Sequence, residues 1–320
     1  MNNFKKIGLS ALAGSLVAVS AQAGELSVTG GASLTFSNAD DKSLTHEGNQ
    51  WTMGDSITFA GSGEMDNGMT ISVSFEIDND DVGGGNVYDS HSMTLDTNGM
   101  GTITFAGHGG SSAMSALDDV TPNGYQESWD VVTGAETSTL IGGHSGDNMF
   151  TYKSPDLGGA TITVAYLNAS DAVTDKSYTD FSIVAKPEMV EGLEVGYGFG
   201  ETEETHGTAI DETAMYVKYT YGSVTVGYQM NEADGPASSN DLDFTALGIS
   251  YAVTDDLTIG YSTSESDKAS DSDVQEATAI GASYTSGGIT VAGSMNSVDN
   301  VGFDASADRD GYEFNVSFAF

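Results

Sequence analysis

Four carboxylates, Asp118, Asp119, Glu127 and Asp130, crowd around Trp129 in the one long interval without an alternating pattern, Gly107 to Asp147. Acidic side chains with no base beside them do one thing well. They hold a negative potential that concentrates counter-ions, more strongly where low-dielectric walls focus the field. Loops this long without structure of their own are usually functional or disordered. Here Met114, Leu117, Val120 and Trp129 make the stretch partly apolar, which favours packing inward over standing in water. The run Ser112 to Val120 predicts a short helical turn, and Pro122-Asn123-Gly124 breaks it. The expectation is a constriction loop over about 107–147, with Asp118, Asp119, Glu127 and Asp130 as its charges.

Other constellations offer less. His108 and His144 close the ends of the loop near carboxylates, but no His-x-x-x-His or cysteine spacing supports a zinc site, so they read as solvated loop histidines. Gly83-Gly84-Gly85 is a turn rather than a phosphate cradle, since no Gly-Lys-Ser/Thr and no helix follow. Asp78, Asp80 and Asp81, or Asp267, Asp271 and Asp273, offer oxygens for weak Ca²⁺ binding at the acidic loops. They lack the twelve-residue loop and terminal Glu of a dedicated site. Ser, His and Asp are abundant, yet nothing marks a hydrolytic triad. No cofactor and no catalytic residue is expected.

The elements that must position the loop repeat with period 2. Met69, Ile71, Val73, Phe75 and Ile77 alternate, as do Leu193, Val195, Tyr197 and Phe199, and Tyr312, Phe314, Val316, Phe318 and Phe320. Successive strand side chains point to opposite faces, so each segment has one apolar and one polar side. Sixteen such segments are read: 25–36, 51–63, 69–77, 89–97, 102–107, 147–153, 160–168, 177–186, 193–202, 210–220, 223–232, 242–253, 257–264, 273–285, 288–296 and 310–320. Tight turns such as Met65-Asp66-Asn67-Gly68 follow even-numbered segments, and long polar stretches such as 37–50, 108–146, 265–272 and 297–309 follow odd ones. Short turns at one rim and long loops at the other are how outer-membrane barrels are built. Aromatics end odd segments (Phe36, Phe75, Phe105, Tyr166, Phe199, Tyr228, Tyr261) and even ones (Tyr152, Tyr219, Tyr251, Tyr284, Phe320), predicting two interfacial girdles.

Charges fall in the other phase: Glu76, Glu194, Lys218, Asp243 and Glu313. Glu76, Lys218 and Glu313 are therefore read as pore wall. Two places break the pattern. Asp55 shares a phase with Ile57 and Phe59, so the membrane part of that segment is expected to begin after it. In 242–253 the phase shifts between Phe244 and Leu247, predicting a bulge or a shorter strand.

Residues 1–23 read as a signal peptide, with Lys5 and Lys6, an apolar middle from Ile7 to Val19, and Ala21-Gln22-Ala23 before cleavage. The barrel then occupies 24–320. No run approaches the roughly 20 apolar residues of a spanning helix. Removing Lys5 and Lys6 leaves seven basic residues against 47 acidic ones, a net −40 where the full chain carries −38. That excludes nucleic acid, which needs clustered Lys and Arg. With no cysteine there is no disulfide framework. Stability must come from strand pairing and burial.

Tyr152-Lys153-Ser154-Pro155, then Gly158-Gly159 and a strand to Tyr166, resembles the tight turn after the constriction loop in Gram-negative general diffusion porins, particularly the alphaproteobacterial type. The terminal Gly-Tyr-Glu-Phe-Asn-Val-Ser-Phe-Ala-Phe is similar to that family's end, which the barrel-assembly machinery recognises. The resemblance implies an all-β, sixteen-stranded, water-filled antiparallel barrel in the outer membrane, a homotrimer among lipids and lipopolysaccharide, narrowed by its third external loop. Phe320 becomes the terminal assembly residue. One departure stands out: family members set Arg on the wall opposite the loop, whereas Ser56, Thr58, Ser72, Ser74, Glu76, Ser92 and Thr94 occupy those positions here. Arg309, the only arginine, is expected in the last external loop.

The function this supports is passive diffusion of small hydrophilic solutes and ions, with a preference for cations, and no enzymatic activity. Two alternatives belong to other classes: an outer-membrane barrel enzyme of phospholipase or protease type, and a surface β-structured adhesin. Sixteen segments exceed the smaller barrels that the barrel enzymes resemble. The alternation of turns and loops disfavours the adhesin.

Overall fold

Antiparallel pairing of two-faced strands satisfies every backbone group only if the sheet has no edge, and the chain reaches that state by closing on itself. The structure, a computed structural model, describes residues 26–39, 49–78, 88–132, 134–135, 145–168, 177–203, 209–235, 237 and 241–320. The expected signal over 1–23, the Gly83 to Gly85 turn, Asp80, Asp81 and His144 lie outside the described residues.

Before the long loop come β1 (Leu26–Ala39), β2 (Gln50–Glu64), β3 (Thr70–Asp78), β4 (Ser90–Asp96) and β5 (Thr102–His108). The loop's neck is a two-residue pair, β6 (Gly110–Ser111) with β7 (Ser145–Gly146). After it come β8 (Met149–Lys153), β9 (Ala160–Leu167), β10 (Ser177–Ala185), β11 (Leu193–Glu203), β12 (Ala209–Tyr221) and β13 (Val224–Asp234). The last are β14 (Leu242–Ala252), β15 (Leu257–Lys268), β16 (Gln275–Ser286), β17 (Ile289–Asp299) and β18 (Arg309–Ala319). All but β6 and β7 form one closed antiparallel barrel of sixteen strands, each paired with its neighbours in sequence, β5 with β8 and β1 with β18. The sixteen barrel strands are the sixteen segments read from the period-2 pattern.

Closure runs through the last residue. Gly30 N–H donates to the Phe320 carbonyl and Phe320 N–H to the Gly30 carbonyl, each at 2.9 Å, and the Phe320 ring lies 5.9 Å from that of Phe318. The outward phase is apolar and exposed, with Leu34, Ile57, Tyr228, Ile249, Ile280 and Phe314 among its members. An apolar exterior with a polar interior is the inverse of a water-soluble sandwich and matches a barrel solvated by lipid. Near one rim Phe36 sits 4.7 Å from Trp51 and 6.1 Å from Tyr312, and Phe105 sits 4.8 Å from Phe150.

β2 runs as one unbroken ladder through Asp55, which stands opposite Ala32 as an exposed carboxylate in the outward apolar phase. Several expectations need correction. β14 has no bulge, and its register to β13 and β15 is continuous. Its pattern shifts because Leu242, Phe244 and Ala246 face inward against Trp129, which reverses the apolar side along half the strand. Asp243 consequently points outward, opposite Glu232 and Asp267. The irregularity lies instead between His91 and Ser92 on β4. Asp267 belongs to β15 rather than the following loop, and Arg309 opens β18, opposite Val298.

Candidate constriction site

The long segment leaves β5 at Gly109, whose φ of 66° suits a residue without Cβ. A single turn of 3₁₀ helix, Met114–Ala116, then starts against the barrel wall. Its free N–H groups need acceptors. Asp180 on β10 supplies both: its carboxylate accepts from Ala113 N–H at 3.0 Å and Met114 N–H at 2.7 Å. Asp180 is 1 % exposed, and the Tyr178 hydroxyl donates to it at 3.3 Å and to Glu212 at 3.1 Å. Met114 and Leu117 are fully buried against Ala214 and Tyr216 of β12.

From there the segment crosses the inward faces of successive strands. Val120 N–H and the Thr121 hydroxyl donate to the Gln229 side-chain carbonyl on β13 at 3.4 and 3.3 Å. Pro122 lies on Gly227 and Gly248, and Asn123 and Gly124 lie on Gly260 and Gly281. The Tyr125 hydroxyl and Gln126 amide donate to Glu313 Oε1 on β18 at 2.6 and 2.9 Å. Returning, Asn296 donates to the Glu127 carbonyl at 2.6 Å, the Ser128 and Ser264 hydroxyls meet at 2.8 Å, and Trp129 stands edge-on to Phe244 at 4.9 Å. Val132 packs with Ala277, Val298 and Val301. Among the described residues the apolar core is thus four small clusters, set largely between this segment and the wall.

The acidic residues separate into different settings. Asp119 and Asp130 are exposed and Asp118 half-buried. Asp119 has φ 48°, a left-handed conformation that Asp adopts more readily than most residues. Glu127 accepts from the Asn123 amide at 2.6 Å, and its own N–H donates to Asp130 at 2.8 Å. Burial first, then the Asp130 carboxyl and the nearby Asp119, hold the Glu127 carboxyl well above the usual carboxylate range. Burial, helped by Glu313, likewise pushes the Tyr125 phenol up, keeping it a proton donor.

Of the wall residues, Glu76 accepts from the Ser90 hydroxyl at 3.3 Å. Lys218 meets Glu194 at 3.3 Å, and Lys186 meets the other oxygen of Glu194 at 3.0 Å. Glu313 is engaged by the segment itself. His108 is 2.6 Å from Asp147. Among the described residues no three acidic, histidine or cysteine side chains converge on a metal-sized point.

Sequence reasoning missed Asp180, Gln229, Ser264 and Asn296 as the segment's partners. It also missed a legible signal, inward glycines in mid-strand on β11 and β13 to β16, because such glycines mark close backbone approach. At Gly248 or Gly260 a Cβ would strike the backbone of Pro122 or Gly124.

The family model for Gram-negative porins matches residues 8–279. No curated protein matches the chain. Among solved structures, the anion-selective porin of Comamonas acidovorans superposes with a TM-score of 0.71 at 13 % identity, covering 92 % of this chain and 99 % of that one. OmpT, an outer membrane protein of Vibrio cholerae, gives 0.70 at 12 % identity, covering 96 % and 100 %. A triple mutant of the Rhodopseudomonas blastica porin gives 0.68 at 18 % identity, covering 92 % and 100 %. At such identities these likenesses speak for the fold, and the family match over most of the chain speaks for membership. The chain belongs to the Gram-negative porin family.

Proposed function

We propose that this outer-membrane channel passes small hydrophilic solutes by passive diffusion, that the segment at about 107–147 folds inward to form its constriction, and that it favours cations. The observation that carries the reading is the seating of residues 113–132 on the inward faces of β10 to β18, with Asp119 and Asp130 left exposed. Carboxylates lining a narrow passage raise the local cation concentration, as acidic rings do in cation channels. The inward positions Ser56, Thr58, Ser72, Ser74, Ser92 and Thr94 set no base against them. Selectivity is not carried over from the anion-selective Comamonas porin, because 13 % identity reaches no further than the fold.

The same reading includes export through removal of residues 1–23, insertion by the barrel-assembly machinery, and a homotrimer surrounded by lipid and lipopolysaccharide. Family members are generally trimeric. The outward Asp55 supports covering of the β2 face by protein rather than hydrocarbon. The test is reconstitution into a planar bilayer with a tenfold KCl gradient. Cation-selective reversal is expected, strongest in dilute salt because the Debye length falls from about 10 Å at 0.1 M to about 3 Å at 1 M. Asp118→Asn with Asp119→Asn should weaken that preference more than Asp267→Asn with Asp271→Asn. Anion preference in the wild type would refute the cation reading, and equal effects of the two pairs would remove the constriction from these residues. Hydrolysis of lipid or peptide by the purified protein would favour the enzyme class instead.

A further inference from the structure

We infer that Lys186 and Lys218, gathered on Glu194, form a carboxylate-binding subsite directly beneath the long segment, and that the solutes it favours are zwitterions, amino acids and short peptides. This rests on the channel reading above and names its substrate class. Lys218 on β12 and Glu194 on β11 face each other in register, and Lys186 opens the turn between β10 and β11. Glu194 takes one lysine on each oxygen, Lys218 at 3.3 Å and Lys186 at 3.0 Å, and accepts from the Tyr216 hydroxyl at 2.9 Å. Two ammonium groups share one carboxylate, so the group keeps a net positive charge. Each ammonium has three N–H donors, and one oxygen apiece leaves donors to spare. The Lys186 side chain is 53 % exposed and that of Lys218 22 %, so both remain within reach of a passing solute.

The packing of the segment fixes where this group stands. Asp118 and Asp119 lie between Leu117, packed on Tyr216, and Val120, bonded to Gln229, and Tyr216 and Gln229 are cross-strand partners. The next inward pair toward the turns is Lys218 with Gly227, the glycine on which Pro122 lies. Acid and base therefore follow one another along the pore axis in the sector of β11 to β13. One inward step along a strand is ~7 Å, two residues of about 3.3 Å each. An extended dipeptide has about that reach between its ammonium and its carboxylate. Beyond Lys186 the turn carries exposed Glu188 and Glu191, so acids bound the basic step on both sides and a free anion gains no path. Binding speeds passage only where it is weak enough to release, and partly exposed ion pairs are weak.

The test takes one backbone and blocks its termini in turn: diglycine as zwitterion, its amide as cation, its N-acetyl derivative as anion and its N-acetyl amide as the neutral reference. Uptake of each into proteoliposomes carrying the intact barrel is measured. Diglycine should enter about threefold faster than the neutral derivative, the order that a partly exposed ion pair supplies, and the anion more slowly than either. Lys186→Met with Lys218→Met should bring diglycine down to the neutral rate and raise that of the cationic amide, because a repulsive charge has left the path. Glu194→Gln works in the other direction. It frees both lysines and should raise diglycine and N-acetyl uptake together. A group that merely braces two strands would move all four solutes alike in these variants, and that pattern would overturn the assignment. So would wild-type diglycine entering no faster than the neutral derivative, an outcome that depends on no variant folding. Exclusion of all four solutes, or anion preference in the KCl gradient, would instead strike the proposed function.

Discussion

The ionisation of Glu127, in the segment proposed as the constriction, departs far from that of a free side chain, and its behaviour can be worked through with signs. Its carboxyl is raised by burial and by Asp130 and Asp119, with the Asn123 amide on one oxygen. A group raised in the folded state contributes stability that is complete below its unfolded value and lost as pH rises through the folded one. At neutral pH it therefore carries a proton and adds no charge of its own. In alkaline buffer the proton leaves, the local charge grows more negative, and the seat loosens. Reversal potentials in a KCl gradient should move further toward the cation limit between neutral and alkaline pH. Glu127→Gln should abolish that step while leaving the neutral value nearly unchanged; a step of equal size in the variant would assign it elsewhere. The phase of Glu313 was readable from its strand. Its partner was not, because Tyr125 lies 188 residues away and no local pattern encodes such a contact.

At the scale of elements, strand number and inward or outward phase were legible because period 2 is imposed by backbone geometry on every residue. The reading failed where another element reverses the local solvent. On β14 the inward Leu242 and Phe244 look like a slipped register until Trp129 is placed against them. The terminal strand illustrates the opposite case, since its expected place beside the first strand is where it pairs. Phe320 completes the ladder to β1 through two hydrogen bonds, and its ring belongs at the interface. Phe320→Ala should strongly lower the protein's abundance in the outer membrane, with export across the inner membrane intact. Fractionation and immunoblotting would check this, and undiminished outer-membrane levels would count against it.

For the whole molecule, wall height is uneven. β4 and β5 have seven residues and β8 has five, against 11 to 13 on β11 to β18. Seven residues tilted by about 45° rise only ~17 Å, short of an apolar band of ~25 Å. Lipid would have to thin against that sector, next to the outward Asp55 on β2. Covering it with a second copy removes both costs, so native mass measurement in mild detergent should give three times the mature chain. A monomer under those conditions would leave the low wall unexplained. Closure carries a consequence of its own for biosynthesis. The bonds between Gly30 and Phe320 join the first barrel strand to the last, so no partly made barrel can be sealed. Until the final strand docks, the nascent sheet has two bare edges, each a template for pairing with foreign chains. Delaying that last pairing therefore exposes the sheet to aggregation rather than to closure as a smaller pore.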